Sequence, residues 1–182
     1  MDDDELKLIV DRAVARDLTA LSQLYEIYYD RVYRYILVRL RNVTEAEDLA
    51  GQTFLRMVER IDSFSRRPSG GGFAGWLFKI AHNLMVDWFR AQRTTAPLTE
   101  GYETAGPGPE ELAIEDGSVR EILKALDFLS ADQRQVLLLR LIGGLSCRET
   151  AGVIGTTEGN VRALQHRGVQ KLRGKLGVMT NV

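Results

Sequence analysis

The sequence is short of most residues that advertise a chemistry. Of its 182 residues one is cysteine, Cys147, so an intramolecular disulfide is excluded. The two histidines, His82 and His166, belong to no cluster with the spacing of zinc ligands, which argues against a structural metal. No cofactor is implied. The longest unbroken apolar run is about five residues, against the ~20 that a membrane-spanning helix needs, so no membrane insertion is expected. The first residues, Met1, Asp2, Asp3, Asp4 and Glu5, are acidic where a secretory signal is basic and then apolar, and a cytoplasmic chain is expected. Neither charge is in excess: 24 Lys and Arg stand against 25 Asp and Glu, a net charge of −1. Strand-like alternation is missing throughout. With 45% hydrophobic and 27% charged residues, what remains is an ordinary globular composition, long enough for one medium domain or two small ones.

The neutral total hides a segregation of charge. Residues 1–17 hold three basic and six acidic side chains, residues 18–93 eleven and eight, residues 94–117 none and six, and residues 118–182 ten and five. Two basic blocks are thus joined by an acidic segment that also contains Pro97, Gly101, Gly106, Pro107, Gly108 and Pro109, the composition of a flexible linker. Such a stretch without apolar periodicity is too long for a connection inside one compact domain, and two domains, 18–93 and 118–182, are expected behind an acidic N-terminal extension, 1–17.

Both blocks read as helical. From Leu18 to Arg41 the apolar residues Leu21, Leu24, Tyr25, Tyr28, Val32, Tyr35, Ile36 and Leu40 recur at intervals of three and four, one helix face. Thr44 with Glu47 has the form of a capping box opening a helix to about Ile61, with Ala46, Leu49, Phe54, Val58 and Ile61 inward. Pro68 to Gly72 break the pattern. A third helix over roughly Phe73 to Arg93 puts Trp76, Leu77, Ile80, Ala81, Leu84 and Trp88 on one face and Lys79, His82, Asn83, Asp87 and Arg90 largely on the other. In the C-terminal block, Val119 to Leu129 is one helix, Ser130 caps a second through Ile142, and Ser146 with Glu149 forms a capping box for a short helix to about Val153. Gly155 turns the chain, and Thr156 or Thr157 caps a last helix to about Leu176. A short helix, a three-residue turn with glycine and a longer helix make the helix-turn-helix pattern.

The last helix carries the clearest chemistry. Steps of 100° gather Val161, Leu164, Gly168, Leu172 and Leu176 into one stripe and leave Arg162, Ala163, His166, Arg167, Gln170 and Arg173 on the opposite arc. That arc suits a major groove, where Arg forks onto guanine, Gln pairs with adenine edges and further cations meet phosphates. The same charges also suit a solvated helix C-terminus.

The C-terminal run LSADQRQVLLLR (129–140), GLSCRETA (144–151), GNVR (159–162) and His166-Arg167 resembles the DNA-binding fourth domain of bacterial RNA polymerase sigma factors. AEDL (46–49), TFLR (53–56), IDSF (61–64) and WLFKIAHN (76–83), with Asp87 and Arg90, resemble the second domain of the same proteins. Two motif sets in this order, with a short linker and no third domain, resemble the extracytoplasmic-function group of the sigma-70 family. The resemblance implies an all-α protein: an N-terminal helical bundle and a C-terminal helix-turn-helix domain on a flexible acidic linker. It implies a non-enzymatic promoter-specificity subunit whose partners are promoter DNA and core RNA polymerase, at the clamp coiled coil and flap. An anti-sigma factor is a further partner the family allows.

The same resemblance assigns residues. Asp48, Gln52 and Arg56 are implied in core binding, although Gly51 and Gln52 stand where Gln and Glu are frequent. Phe64, Ser65, Arg66, Arg67 and Asn83 match the pocket that holds −10 bases as single strand, with Lys79, Arg90 and Arg93 as phosphate contacts. Stacking and edge readout with cations along the backbone make that pocket chemically sensible. Phe64 as a core aromatic remains open beside this, and Asp87 is expected to have a structural role, pairing within its helix or capping a loop. Arg162, Ala163, His166 and Arg167 match the duplex-reading positions for the −35 element, joined by Gln170 and Arg173 on the same arc. Cys147, where Tyr is common in the family, is read as a packing residue. The linker is implied to follow the path of nascent RNA, while a plain spacer explains its composition equally. A free-standing helix-turn-helix regulator is the competing reading; it leaves the Phe64 to Asn83 pattern unexplained.

Overall fold

A computed structural model describes residues 2–64, 72–95 and 124–179. The described residues contain seven full helices and no strand: α1 (Asp3–Val14), α2 (Leu18–Leu40), α3 (Val43–Phe64), α4 (Phe73–Thr95), α5 (Ala131–Leu141), α6 (Cys147–Ile154) and α7 (Glu158–Met179). A helical turn over 124–127 leads into α5.

The first finding beyond the sequence pattern is α1. Its acidic start sits at a helix N-terminus, where Asp2 accepts a hydrogen bond from the Asp3 amide and Asp3, Asp4 and Glu5 complement the dipole. Ile9, Val10 and Ala13 are buried, and α1 packs on α2 and α3, so residues 3–14 are part of the bundle. Arg16 turns the chain with φ +65° and ties it down by a two-pronged ion pair to Asp62 of α3.

Asp17 caps α2 through the Thr19 and Ala20 amides. The inward stripe of α2 is buried as expected from Leu21 to Leu40, with one correction: Tyr25 is 44% exposed and lies edge-on to Phe54. The start of α3 is also corrected. The helix begins at Val43, and Asn42, not Thr44, caps it by accepting the Glu45 amide at 3.1 Å. A cap sits outside the first turn, and Thr44 lies inside it. The helix runs to Phe64, three residues beyond the expected Ile61. Trp88 of α4 is only half-buried, and its indole N–H donates to Glu45 at 2.8 Å.

In the C-terminal unit the Ser130 cap and the Ser146–Glu149 box are as expected, and Gln133 adds a reciprocal half at Ser130 that was not. Ser130 with Gln133 and Ser146 with Glu149 both form complete reciprocal capping boxes. Gly144 and Gly155 take the left-handed φ values, +62° and +74°, that end α5 and α6. Thr157, rather than Thr156, caps α7 through the Asn160 amide. Of the helix expected over Val119 to Leu129, residues before 124 lie outside the described set; of the linker expected over 94–117, residues 94 and 95 belong to α4 and the rest lie outside that set.

The core joins both blocks. Leu137, Leu138, Leu139, Leu145 and Val153 belong to the same buried cluster as Leu24, Tyr35, Leu77 and Phe78, while Val136, Ala151, Val161 and Leu164 form a small second cluster inside the helix-turn-helix. The contact between the blocks runs chiefly along α4 and α6.

Candidate nucleic-acid interface

The recognition arc of α7 is open. Arg162, Ala163, His166, Arg167, Gln170 and Arg173 are all exposed, while Val161, Leu164 and Gly168 are buried and Leu172 half-buried. The buried side of α7 is fixed by α5: Gly168 lies where an added Cβ would come within 3.0 Å of Leu137, so the two helices approach at a residue without a side chain. Arg140 reinforces the fit, its Nε donating to Gln165 Oε1 at 3.1 Å and its guanidinium reaching the Leu145 carbonyl. Arg140 joins Arg162, His166, Gln170 and Arg173 along a cleft of about 460 Å³ with Cys147 on its wall. Periodicity could not have found Arg140 there, because it belongs to a different helix. Cys147 packs beside the small inner cluster, in keeping with a packing role. Arg162 pairs loosely with Glu158 at 3.4 Å and Arg167 curls onto the Ala163 carbonyl at 3.3 Å. Neither contact removes the side chain from solvent.

The −10 candidates are distributed differently. Phe64 is half-buried and packs with Phe73 and Trp76 at ring distances of 5.5 and 5.4 Å, at the junction of α3 and α4. Asn83 and Arg90 are exposed on α4, and Arg90 pairs with Asp87 at 3.5 Å, the in-helix partner expected for Asp87. Lys79 is half-buried, and its ammonium donates to the Val153 carbonyl of α6 at 2.6 Å. His82, expected on an outward face, is likewise half-buried against the C-terminal unit, with Nδ1 3.0 Å from Gln135 Nε2. Burial, with Lys79 and Arg39 nearby, pushes the His82 pKa down to about 4. Ser65, Arg66 and Arg67 lie outside the described residues, and so does the side chain of Arg93.

Asp48 and Gln52 are exposed one turn apart on α3, with half-buried Arg56 a turn further. Leu55, 65% exposed on the same helix, adds an apolar residue that charge-based reading passed over. Gly51 faces open space, with nothing within 4 Å of an added Cβ. Among the described residues no group of three or more His, Cys, Asp or Glu is placed to hold a metal, and no helix is long and apolar enough to cross a membrane.

A helix-turn-helix with an open cationic arc, set beside a helical bundle, defines a two-unit, all-helical DNA-binding protein. Residues 24–95 match the family model Sigma-70 region 2, and residues 119–172 match Sigma-70, region 4. The chain is 38% identical over 169 residues to the ECF RNA polymerase sigma factor BldN of Streptomyces coelicolor, covering 90% of this chain and 63% of that protein. It is 34% identical to SigX of Bacillus subtilis, covering 82% and 80%, and 35% identical to SigD of Mycobacterium tuberculosis, covering 97% and 86%. Its fold is similar to that of CnrH, solved with the cytosolic domain of CnrY, at a TM-score of 0.68 and 23% identity over 94% of this chain and 96% of that one. It is also similar to RpoE of Bartonella quintana, solved with the anti-sigma factor NepR, at a TM-score of 0.65 and 21% identity over 86% and 96%. The chain belongs to the extracytoplasmic-function group of the sigma-70 family, the promoter-specificity subunits of RNA polymerase.

Proposed function

We propose that this chain binds core RNA polymerase through α3 and directs initiation by reading the −10 element as single-stranded DNA along α4 and the −35 element as duplex with α7. It acts in the cytoplasm and has no catalysis of its own. On this reading Asp48, Gln52 and Arg56, with Leu55 beside them, meet the clamp coiled coil. Phe64 supports the base pocket from the aromatic cluster at its floor, Asn83 reads a base edge, and Lys79, Arg90 and Arg93 follow the backbone. Ser65, Arg66 and Arg67 complete the pocket. Arg162, Ala163, His166 and Arg167 read the −35 duplex, with Gln170 and Arg173 at its edge, and the C-terminal unit also meets the flap. An anti-sigma factor is a third partner.

The observation that supports this reading best is the pairing of two matched regions, 24–95 and 119–172, on one chain whose α7 arc is fully open. A free-standing regulator requires the second of these and has no use for the first. Transcription in vitro with purified core polymerase and a promoter library tests the proposal. Promoter-dependent initiation is expected, and Asn83→Ala should lose −10 discrimination while still capturing core. Duplex binding without polymerase and no initiation from any promoter would favour the free-standing regulator.

A further inference from the structure

The corner between α1 and α2 has an arginine where the backbone favours glycine. α1 ends in a complete Schellman motif: the Arg16 amide donates to the Ala13 carbonyl at 2.9 Å and the Asp17 amide to the Arg12 carbonyl at 3.1 Å. Arg16 occupies the left-handed position of that motif, with φ +65°. Glycine takes such a conformation without steric cost and a side chain disfavours it. Where α5 and α6 end, glycine does take it, at Gly144 and Gly155. The reason for arginine at the first of these corners lies in what its side chain reaches.

That side chain spans one turn of α3. Its Nε and Nη2 donate to the two carboxylate oxygens of Asp62 at 3.1 and 2.8 Å, and its Nη1 donates to the Val58 carbonyl at 2.9 Å. All three guanidinium nitrogens are engaged on one helix, at an end whose last turn has no basic residue of its own. A planar fork held at three points fixes direction as well as distance. Stability does not account for it. Arg16 and Asp62 are both about half exposed, and exposed ion pairs contribute little, while glycine would relieve the backbone.

The turn held in this way ends at Phe64, two residues beyond Asp62. Phe64 meets Phe73 and Trp76 at ring angles of 82° and 49°, and Phe73 in turn lies 5.4 Å from Tyr28 of α2. Aromatic pairs are favourable over a range of angles, so these contacts set how far Phe64 stands from α4 without setting the roll of the helix that carries it. Arg16 supplies that missing constraint, because it holds residues 58 and 62 together against the α1–α2 corner.

We propose that Arg16 is a positioning residue for −10 recognition: by gripping Val58 and Asp62 it fixes the last turn of α3, and with it the placement of Phe64 at the base pocket. This rests on the assignment of Phe64 to that pocket. α1 and its closing turn precede the residues matched to region 2, 24–95, and the proposal makes them part of promoter discrimination.

Arg16→Gly separates positioning from stability, since it removes the grip and relieves the backbone at once. The full-length variant should melt at or above the wild-type temperature, capture core polymerase normally and bind −35 duplex unchanged. With core polymerase, the ratio of initiation on a matched −10 element to initiation on single-base −10 variants should fall roughly tenfold, on the scale by which a displaced contact degrades a working geometry. Arg16→Asp, whose short polar side chain tolerates positive φ, should lose the ratio likewise. Adding Asp62→Arg restores the pair with its charges reversed and should return the ratio to within about twofold of wild type, the coupling expected of residues in direct contact. An unchanged ratio in Arg16→Gly would overturn the proposal, as would a loss that the reversed pair does not restore. A melting temperature that falls together with the ratio would make Arg16 a structural brace and overturn it too. A wild-type chain that initiates without discriminating among −10 variants would sink the −10 reading itself, and the proposal with it.

Discussion

The Nδ1 atom of His82 lies 3.0 Å from the side-chain amide nitrogen of Gln135, across the contact between α4 and α5. An amide N–H pointing at Nδ1 needs a lone pair there, which is the neutral imidazole, and a pKa pushed down to about 4 by burial, Lys79 and Arg39 agrees. Below its ordinary value of 6.5 the unfolded state takes up a proton that the native state refuses. Stability is therefore full above about pH 6.5 and falls as the pH drops towards 4. Thermal unfolding followed across this range should show wild type losing more stability than His82→Gln. Parallel curves for the two proteins would mean that His82 is not held neutral.

The start of α3 separates two similar-looking caps. Asn42→Ala should destabilise the protein by about 1 kcal/mol, because the Glu45 amide loses its acceptor. Thr44→Ala, one turn position inside the helix, should change stability by under about 0.5 kcal/mol. Denaturant titration of both variants decides it; a larger loss at Thr44 would restore the capping box read from the sequence.

Ser130 and Ser146 each close a reciprocal capping box, on α5 and α6. Replacing either with alanine should cost roughly 1 kcal/mol, and the two losses should add because they cap different helices. Chemical unfolding of the single and double variants measures this. The Ser146 variant should also weaken duplex binding, since α6 positions the turn before α7.

Leu55 tests the proposed polymerase face. At 65% exposure its replacement by glutamate should leave stability within about 0.5 kcal/mol. A charge at the centre of a protein interface is costly, so capture of core polymerase should fall at least tenfold, with duplex −35 binding unchanged. Normal capture would move the interface off this side of α3.

Arg162 lies in the first turns of α7 and Arg173 three turns later. Residues near the N-terminus of a recognition helix meet base edges, so Arg162→Ala should cost about 1–3 kcal/mol and relax −35 specificity. Arg173→Ala should weaken binding alike on all sequences and reduce the salt slope by about 1. Affinity measured for matched and mismatched duplexes over a range of salt concentrations distinguishes them, and an equal effect of both on specificity would mean that the helix sits in the groove differently.

Local signals determined much of this protein. Helices α2 to α7, the Ser130 cap, the Ser146–Glu149 capping box, the glycine ends of α5 and α6 and the cationic arc of α7 follow from residues within a few positions of one another and were legible in the chain, whereas α1 was not. The motifs that mark regions 2 and 4 were legible for the same reason. What periodicity could not supply is which polar residues face another part of the chain. Residues 1–17 read as an acidic extension because their six carboxylates dominate the composition, yet Ile9, Val10 and Ala13 are buried where α1 packs on α2 and α3. Lys79 and His82 read as outward because a helical wheel divides apolar from polar, whereas docking against α5 and α6 depends on Gln135, Glu149 and the Val153 carbonyl, at least 50 positions away. Gly75 carried no interpretation by itself. Only the tertiary approach of Glu149 gives a reason for it, since the space a missing side chain leaves has meaning only once something occupies it.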